Sequence, residues 1–202
     1  MPIDFSEKID EVENISFEAF NRKYFLPQKP VKIKGLLKDS PAFTKWTPEY
    51  FKKEIGHVKV GVFETGEKLL DRPYNVAPET MLLSEYLDII TSGESNKRLF
   101  LFDIFKQKKS LKNDIVIPPV AKMILRSTLF GFFGGAGSFT RIHRDADNSN
   151  VFLSEFYGKK KIVLFSPKYD KLLYKYPFSI HSGIDIENPD YEKFPALNKV
   201  KG

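Results

Sequence analysis

The change of hydrophobic period near the middle of this chain most constrains its fold. From Leu129 onward, apolar and polar residues alternate in short segments that end at glycines or at Asx-rich turns. This period of two is typical of half-buried strands. The predicted strands are Leu129 to Phe133, Ser138 to His143, Val151 to Tyr157 and Ile162 to Phe165. So many strands in one stretch favour a sandwich or a barrel.

The first half of the chain mixes helical and strand patterns. Ser16 before Phe17, Phe20 and Tyr24 predicts a short helix that ends before Pro27. Two further helices are predicted over Thr47 to Gly56 and from about Thr80 to Ser92. Predicted strands are Val31 to Lys34, Val58 to Val62 and Leu99 to Phe102. Helices early and strands late predict an α+β fold.

The 202-residue chain contains no internal repeat and no linker rich in Gly and Ser. We therefore expect one domain over 1–202, with helices and strands in 1–125 and the strand-rich part in 126–202. The hydrophobic content of 42% is too high for a disordered chain. The sequence has no apolar run of about 18 residues and no signal-peptide pattern at its start, so we expect a cytoplasmic protein without a membrane partner.

The chain has no cysteine, which limits its metal chemistry to other ligands. Thiol nucleophiles, disulfides and iron–sulfur clusters are excluded, and a bound metal ion must be held by His, Asp or Glu. Three histidines are available: His57, His143 and His181. We expect His57, near the start of an early strand, to be structural or on the surface.

The formal net charge of +6 is unevenly distributed. Residues 1–18 carry six acids against one lysine, whereas residues 97–126 carry eight bases against two aspartates. A basic patch can attract nucleic acid, but lysine-rich segments are most often solvated surfaces. Nucleic-acid binding is therefore the less favoured interpretation.

The segment from Gly134 to Asp145 contains the candidate metal ligands. His143 and Asp145 are two residues apart, and side chains two apart on a strand project from the same face. Such a pair suits two ligands of one metal ion. An ion pair at a strand end is the alternative, because a His-x-Asp sequence also arises by chance.

Gly158 is followed by Lys159, Lys160 and Lys161 at the start of a predicted strand. If this strand lies inside a barrel, Lys160 shares its face with Ile162 and Leu164, and its ammonium group needs an anion. In the alternative interpretation, all three lysines are solvated.

Together these features resemble the JmjC or cupin-like Fe(II)/2-oxoglutarate oxygenases, nearest the asparaginyl hydroxylase that acts on hypoxia-inducible factor. The resemblance covers nearly the whole chain. It rests on segments that look like the N-terminal entry, the helix that contains Tyr50 and Phe51 with the tryptophan before it, and the loop after the barrel lysine strand of that family. These are Asn14 to Glu18, Gln28 to Gly35, Trp46 with Tyr50 and Phe51, and residues 172 to 195 with Asn188 to Pro195.

The resemblance implies a double-stranded β-helix (jelly-roll) core and a dioxygenase that uses Fe(II) and 2-oxoglutarate to hydroxylate a side chain of a protein or peptide. Within it, His143 and Asp145 match the first two iron ligands. Lys160 matches the lysine that pairs with the distal carboxylate of 2-oxoglutarate, and Thr140 matches a hydroxyl that assists it. Asn150 is assigned to the cosubstrate site, with Asn148 as the open alternative.

The family's second iron-binding histidine comes on a strand beyond the Phe194-Pro195 signature, and the sequence ends at Gly202. His181 lies in an intervening loop and is not assigned as that ligand. We therefore expect a domain that lacks its final strands and whose 202 residues give no turnover, because two ligands hold iron poorly. A cupin-like binding module without catalysis is the alternative function.

An open barrel edge predicts self-association. Unpaired backbone groups beside an apolar interior recruit another chain. Phe130, Phe132, Phe152 and Phe156 are the residues expected to line that interior in part. Alternatively, the loop from Lys175 to Pro195 covers the edge and leaves a monomer.

Overall fold

A computed structural model describes residues 3–65, 76–121, 129–145 and 149–202. The chain divides into two units. The first combines Met1–Lys34 with Arg141–Gly202, and the second is Gly35–Thr140. We call them the terminal unit and the central unit. The expectation of a single domain over 1–202 stays a prediction.

The central unit contains four α-helices among its described residues. They are α2 (Ala42–Lys45), α3 (Pro48–Ile55), α4 (Leu83–Thr91) and α5 (Ile104–Gln107), which follow α1 (Phe17–Phe20) of the terminal unit. The predicted helix over Thr47 to Gly56 is confirmed: the Thr47 side chain accepts a hydrogen bond from the Tyr50 N–H, and proline opens the first turn.

One helix boundary was predicted too early. The segment Glu79–Leu82 is strand β4, and α4 starts only at Leu83. The residues of β4 pair with β3 (Lys59–Glu64), with Val60 opposite Met81. Pairing with β3 thus gives these residues an extended backbone, although their local sequence pattern is that of the following helix.

The central unit is built on an antiparallel sheet of four strands in the order β4-β3-β6-β7, in which β6 is Lys97–Asp103 and β7 is Phe130–Gly134. The predicted strands over 58–62, 99–102 and 129–133 are confirmed. Two short strands that the sequence did not predict, β5 (Glu94–Ser95) and β8 (Ala136–Gly137), form a parallel pair.

Apolar side chains of the helices and the sheet form the core of the central unit. Fully or almost fully buried members are Trp46, Phe51, Ile55, Val60, Val62, Leu83, Tyr86, Leu87, Leu99, Ile104 and Leu111. The Tyr86 hydroxyl donates to the Phe133 carbonyl at 2.8 Å. Burial raises the pKa of Tyr86, which keeps this hydroxyl a donor.

The central unit also buries the carboxylate of Asp114. Asp114 accepts hydrogen bonds from Lys45 Nζ (2.9 Å), Trp46 Nε1 (3.1 Å) and the Tyr50 hydroxyl (2.8 Å). Burial by itself raises the pKa of Asp114, but these three donors outweigh it and lower the pKa. Burial and the contact with Asp114 raise the pKa of Tyr50 to about 12. The carboxylate therefore joins α2 and α3 to the 3₁₀ helix Lys109–Asp114.

The terminal unit brings distant parts of the sequence together. Strands β1 (Asp10–Glu13) and β2 (Val31–Lys34) pair in parallel, which confirms the strand predicted at 31–34. Between them, α1 is capped by Ser16 and continues as a π-helical turn over Asn21–Phe25, in agreement with the helix predicted to end before Pro27. The core residues of this unit are Ile3, Leu173, Ile184, Leu197 and Val200.

Three predicted strands are not formed. No strand is assigned over 138–143, 151–157 or 162–165, although all of these residues are described. The alternating pattern favours an extended backbone, but a strand also needs a neighbour with which to exchange hydrogen bonds. The 3₁₀ helices Pro167–Leu172 and Pro195–Lys199 follow instead. The observed helices with an antiparallel sheet agree with the predicted α+β class.

Within the described residues, no helix is both long enough and apolar enough to span a membrane. His57 is exposed in the turn after α3, as expected for a surface residue. Lys122 and Arg126 of the basic stretch lie outside the described residues. In that stretch, Lys97 pairs with Glu79, and Lys108 pairs with Glu54 at 2.5 Å.

Candidate functional site

Glycines bring the chain from the sheet of the central unit to Thr140. A Cβ on Gly134 would meet the Ser138 Oγ at 2.5 Å, and a Cβ on Gly135 would meet the Ser95 carbonyl oxygen at 2.8 Å. Gly137 adopts a φ of +91°. Only glycine fits this tight path, which explains the glycine-rich stretch before the candidate site.

Thr140 is held by a residue that sequence analysis missed. The Arg98 Nη1 donates to the Thr140 Oγ1 at 2.9 Å. Arg98 lies on β6, 42 residues before Thr140. No local pattern links the two positions, because the pairing of β6 with β7 brings them together.

His143 lies in a short antiparallel pairing within the terminal unit. The Arg144 N–H donates to the Ile180 carbonyl at 3.0 Å, and the Ser182 N–H donates to the Ile142 carbonyl at 2.9 Å. These two bonds flank His143 and His181 and make them a non-hydrogen-bonded pair, the kind whose side chains lie closest. Their rings are stacked with centroids 5.8 Å apart.

The buried side of this pairing anchors the histidines. Ser182 is fully buried, and Ile142 packs against the core of the terminal unit. Because side chains alternate along an extended chain, His143 projects away from that core while its neighbour Ile142 faces it. The histidine is therefore presented from a fixed backbone.

The tautomer of His143 follows from its hydrogen bond. Its Nδ1 lies 2.9 Å from the Arg141 carbonyl oxygen, and a carbonyl can only accept. The proton of the neutral ring therefore sits on Nδ1, and the Nε2 lone pair is left for another group. A backbone carbonyl behind the ring is a usual arrangement for a histidine that binds metal.

The free side of His143 faces a carboxylate. Its Nε2 is 3.5 Å from the Asp145 Oδ1, and both side chains are partly exposed. A cation placed between these two atoms would be attracted to both. Imidazole nitrogen and carboxylate oxygen are both common metal ligands, so these two side chains would supply two of the ligands of one ion.

Among the residues that the structure describes, no third ligand completes this pair. Within the described ranges, no group of three or more His, Asp or Glu side chains is arranged to hold a metal ion. Sequence analysis set His181 aside as a ligand; the structure stacks its ring on His143 without completing such a group. His181 lies beside His143 because residues 142–144 pair with residues 180–182. No pattern in the sequence predicts this pairing.

The expected environment of Lys160 is wrong. Lys160 is exposed, as are Lys159 and Lys161, and Ile162 and Leu164 are 51% and 48% exposed. No strand forms in this segment, so the described residues provide no apolar lumen around the ammonium group. The assignment of Lys160 to the cosubstrate, which depends on the resemblance, stays a prediction. Asn150 is exposed, and Asn148 lies outside the described residues.

Comparison with known families and proteins agrees with the fold. Residues 17–201 match the family described as Cupin-like domain. Lysine-specific demethylase 8 of Xenopus tropicalis is 30% identical over 207 residues, which is 98% of this chain and 46% of the relative. JmjC domain-containing protein D of Dictyostelium discoideum is 27% identical over 90% of the chain and 46% of the relative.

The name of a third relative refers to tRNA modification and not to demethylation or a JmjC domain. The tRNA wybutosine-synthesizing protein 5 of Gallus gallus is 26% identical over 96% of the chain and 66% of the relative. The chain spans about half the length of the two JmjC relatives. None of these three names mentions an asparaginyl hydroxylase, so that nearer likeness stays a prediction. The family match covers most of the sequence, and the chain belongs to the cupin-like, JmjC-type domain family.

Proposed function

We propose that this chain binds Fe(II) and 2-oxoglutarate for an oxygenase that hydroxylates a side chain of a protein or peptide. The observation that carries the proposal is the pair of His143 and Asp145, with the Nε2 lone pair 3.5 Å from the carboxylate. Non-haem iron oxygenases hold their metal with two histidines and one carboxylate and keep open positions. When bound, the metal and the 2-oxo acid supply the oxidising power: O₂ and 2-oxoglutarate yield succinate, CO₂ and a hydroxylated carbon.

The residues of this chain position the reactants. The Arg141 carbonyl fixes the His143 tautomer, and the extended backbone places Asp145 beside it. Thr140 offers a hydroxyl held by Arg98, and Lys160 is the further cation that the family likeness assigns to the distal carboxylate. The names of the relatives include demethylases, and removal of an N-methyl group also begins with insertion of oxygen into a C–H bond.

The metal site can be tested through the three histidines, which give three resolvable ring signals in proton NMR. Mn(II) substitutes for Fe(II) without redox chemistry and broadens the signals of nearby protons. We expect the His143 signal to broaden first, followed by that of His181, whose ring is stacked on it. The exposed His57 serves as the internal reference, and single His→Gln variants assign the three signals.

A matched pair of variants locates the ligand. Asp145→Asn should abolish the selective broadening of His143, whereas Asp185→Asn, at another exposed aspartate, should leave it unchanged. Equal broadening of all three histidines would contradict the proposed site. Zn(II), which is diamagnetic, controls for shifts that do not come from the unpaired electrons.

A binding module without catalysis is the second candidate. It is favoured by the lack of a three-ligand group among the described residues. Succinate formation with Fe(II), 2-oxoglutarate and O₂ separates the two candidates. Metal-selective broadening without succinate supports binding alone, and for these 202 residues we expect that result, since two ligands hold iron weakly. Turnover that His143→Ala abolishes supports the oxygenase within this chain.

A further inference from the structure

Three lysines of the basic stretch lie on neighbouring elements at the surface of the central unit. They are Lys106 on α5 and Lys109 and Lys112 on the 3₁₀ helix Lys109–Asp114, and all three are exposed. The two short helices pack against each other. In the ranges that the structure describes, none of the three lysines forms an ion pair. We call them the lysine cluster.

The acids nearest to the lysine cluster in the sequence have partners inside the fold. Asp103 caps α5 by accepting from a backbone N–H of its first turn. Asp114 is buried and accepts from three side chains. Between these two acids, residues 104–113 contain four lysines and no acid, and the fourth lysine, Lys108, pairs with Glu54. The positive charge of the cluster is therefore left for another molecule.

The 3₁₀ helix gives two members of the cluster a common direction. Such a helix has about three residues per turn, so residues three apart project from the same side. Leu111 and Asp114 are 1% and 5% exposed, and they form the buried side. Lys109 and Lys112 share a different, exposed side. At a rise of about 2 Å per residue, they are about 6 Å apart along the helix axis.

An aromatic ring holds one ammonium group of the cluster in place. The Nζ of Lys112 lies 5.6 Å from the centroid of the Phe105 ring, which is a cation–π arrangement. Phe105 lies on α5 directly before Lys106, so this contact brings Lys112 next to the helix that carries Lys106. A ring attracts a cation without neutralising it, and the ammonium group keeps donors for an anion. The cluster is thus both ordered and charged.

We propose that the lysine cluster binds an extended acidic segment of a partner protein. In an extended chain, side chains two residues apart project from the same face and lie about 6.6 Å apart, since each residue rises about 3.3 Å. This distance is close to the spacing of Lys109 and Lys112, so carboxylates at alternate positions can meet both ammonium groups. Neither the family likeness nor the proposed function assigns a role to these lysines.

Two observations favour a protein segment over a nucleic acid. Binding to a phosphate backbone gains its affinity from many lysine and arginine contacts, and the cluster supplies three lysines. Stacking of bases needs an open aromatic face, but Phe105 is half-buried and Lys112 lies over its ring. A nucleic acid is therefore an alternative outcome of the test.

The probe is a rhodamine-labelled peptide, Gly-Glu-Ser-Glu-Ser-Glu-Gly, with glutamates at alternate positions. Its binding to the whole chain is measured by fluorescence anisotropy at low ionic strength, where exposed charges are least screened. The triple variant Lys106→Gln, Lys109→Gln, Lys112→Gln should bind the peptide about tenfold more weakly, because each exposed ion pair makes a modest contribution. Equal binding by wild type and this variant would overturn the inference.

A second triple variant controls for net charge. Lys38→Gln, Lys52→Gln and Lys59→Gln remove the same charge from three separate places in the central unit: a turn, α3 and β3. This variant should keep the affinity of wild type. If it loses as much affinity as the cluster variant, net charge alone attracts the peptide, and the inference is wrong.

Two further probes test the spacing and the class of partner. An isomeric peptide with its three glutamates in a row should bind about threefold more weakly, and equal binding of the two isomers would contradict the extended register. A single-stranded oligouridylate of equal charge should bind less tightly than the alternating peptide. Tighter binding of the oligonucleotide that the cluster variant abolishes would assign this surface to nucleic acid and overturn the inference.

Thermal melts establish that the variants are folded. Should the triple cluster variant not fold, the double variant Lys109→Gln, Lys112→Gln decides. It should bind the alternating peptide at least about threefold more weakly than wild type, since it removes the two lysines that match the spacing. An unchanged affinity would overturn the inference.

Discussion

Similar apolar residues differ in exposure between the sheet of the central unit and the segment 151–165 of the terminal unit. On β6, Leu99 is 4% exposed and lies between two paired strands. In the terminal unit, Leu164 and Val151 are 48% and 65% exposed, and no strand is assigned around them. On the paired strand, the apolar residues that face the core, such as Leu99, are therefore buried, because pairing holds them against that core.

The two units also differ in the burial and hydrogen bonding of a carboxylate. Asp114 of the central unit is buried and accepts from three donors, so its lone pairs are used within the fold. Asp145 of the terminal unit is half exposed and faces the lone pair of His143. A saturated, buried carboxylate stabilises a structure, whereas an exposed one beside another lone pair is available to a cation.

The largest effect is expected from matched leucine substitutions in the two units. Leu99→Ala should lower the free energy of unfolding by about 3 to 4 kcal/mol, because it opens a cavity in a closed core. Leu164→Ala should change it by less than about 0.5 kcal/mol. Denaturant unfolding measures both. Equal losses would mean that the segment around Leu164 is packed as tightly as β6, which would contradict the difference between the two regions.

The second prediction concerns the buried carboxylate. Asp114→Ala should cost about 3 kcal/mol, because Trp46 and Tyr50 lose their acceptor in the interior. The control is Asp88→Ala, which removes an exposed partner of Lys52 and should cost less than about 0.5 kcal/mol. A small effect at Asp114, measured by the same unfolding curves, would show that water satisfies those donors.

A glycine in each unit tests the tightness of packing. Gly135→Ala should cost about 2 kcal/mol, because the new Cβ would meet the Ser95 carbonyl oxygen of the backbone at 2.8 Å. Gly183→Ala should cost less, since its nearest atom is the hydroxyl oxygen of Tyr176, the movable end of a side chain. Gly93→Ala meets nothing within 4 Å and serves as the control. The order of the three melting temperatures checks this prediction.

The smallest expected effect is on pH dependence. The pKa of Asp114 is lowered in the folded state, so the unfolded chain takes up a proton at higher pH than the folded chain. The ionised Asp114 therefore stabilises the folded chain above about pH 3.9, the pKa of an aspartate in an unfolded chain. This stabilisation is lost as the pH falls through the lower pKa that Asp114 has in the folded chain. The stability difference between wild type and Asp114→Asn should shrink below about pH 4. A constant difference down to pH 3 would contradict this assignment.

Local signals were sufficient for much of the fold. The caps at Ser16 and Thr47 and the proline at position 48 are short-range features, and they correctly predicted α1 and α3. The strands at 31–34, 58–62 and 99–102 were predicted by alternation. The proximity of His143 and Asp145 followed from their spacing of two, which the extended backbone preserves.

The sequence by itself thus determined the α+β class, the capped helices and the spacing of the two candidate ligands, because each depends on residues a few positions apart. Tertiary structure alone decided which alternating segments become strands, since pairing needs a distant neighbour. It also decided that His181 stacks on His143 and that Arg98 reaches Thr140 across 42 residues. These contacts come from backbone pairing between remote segments, and no local pattern encodes them.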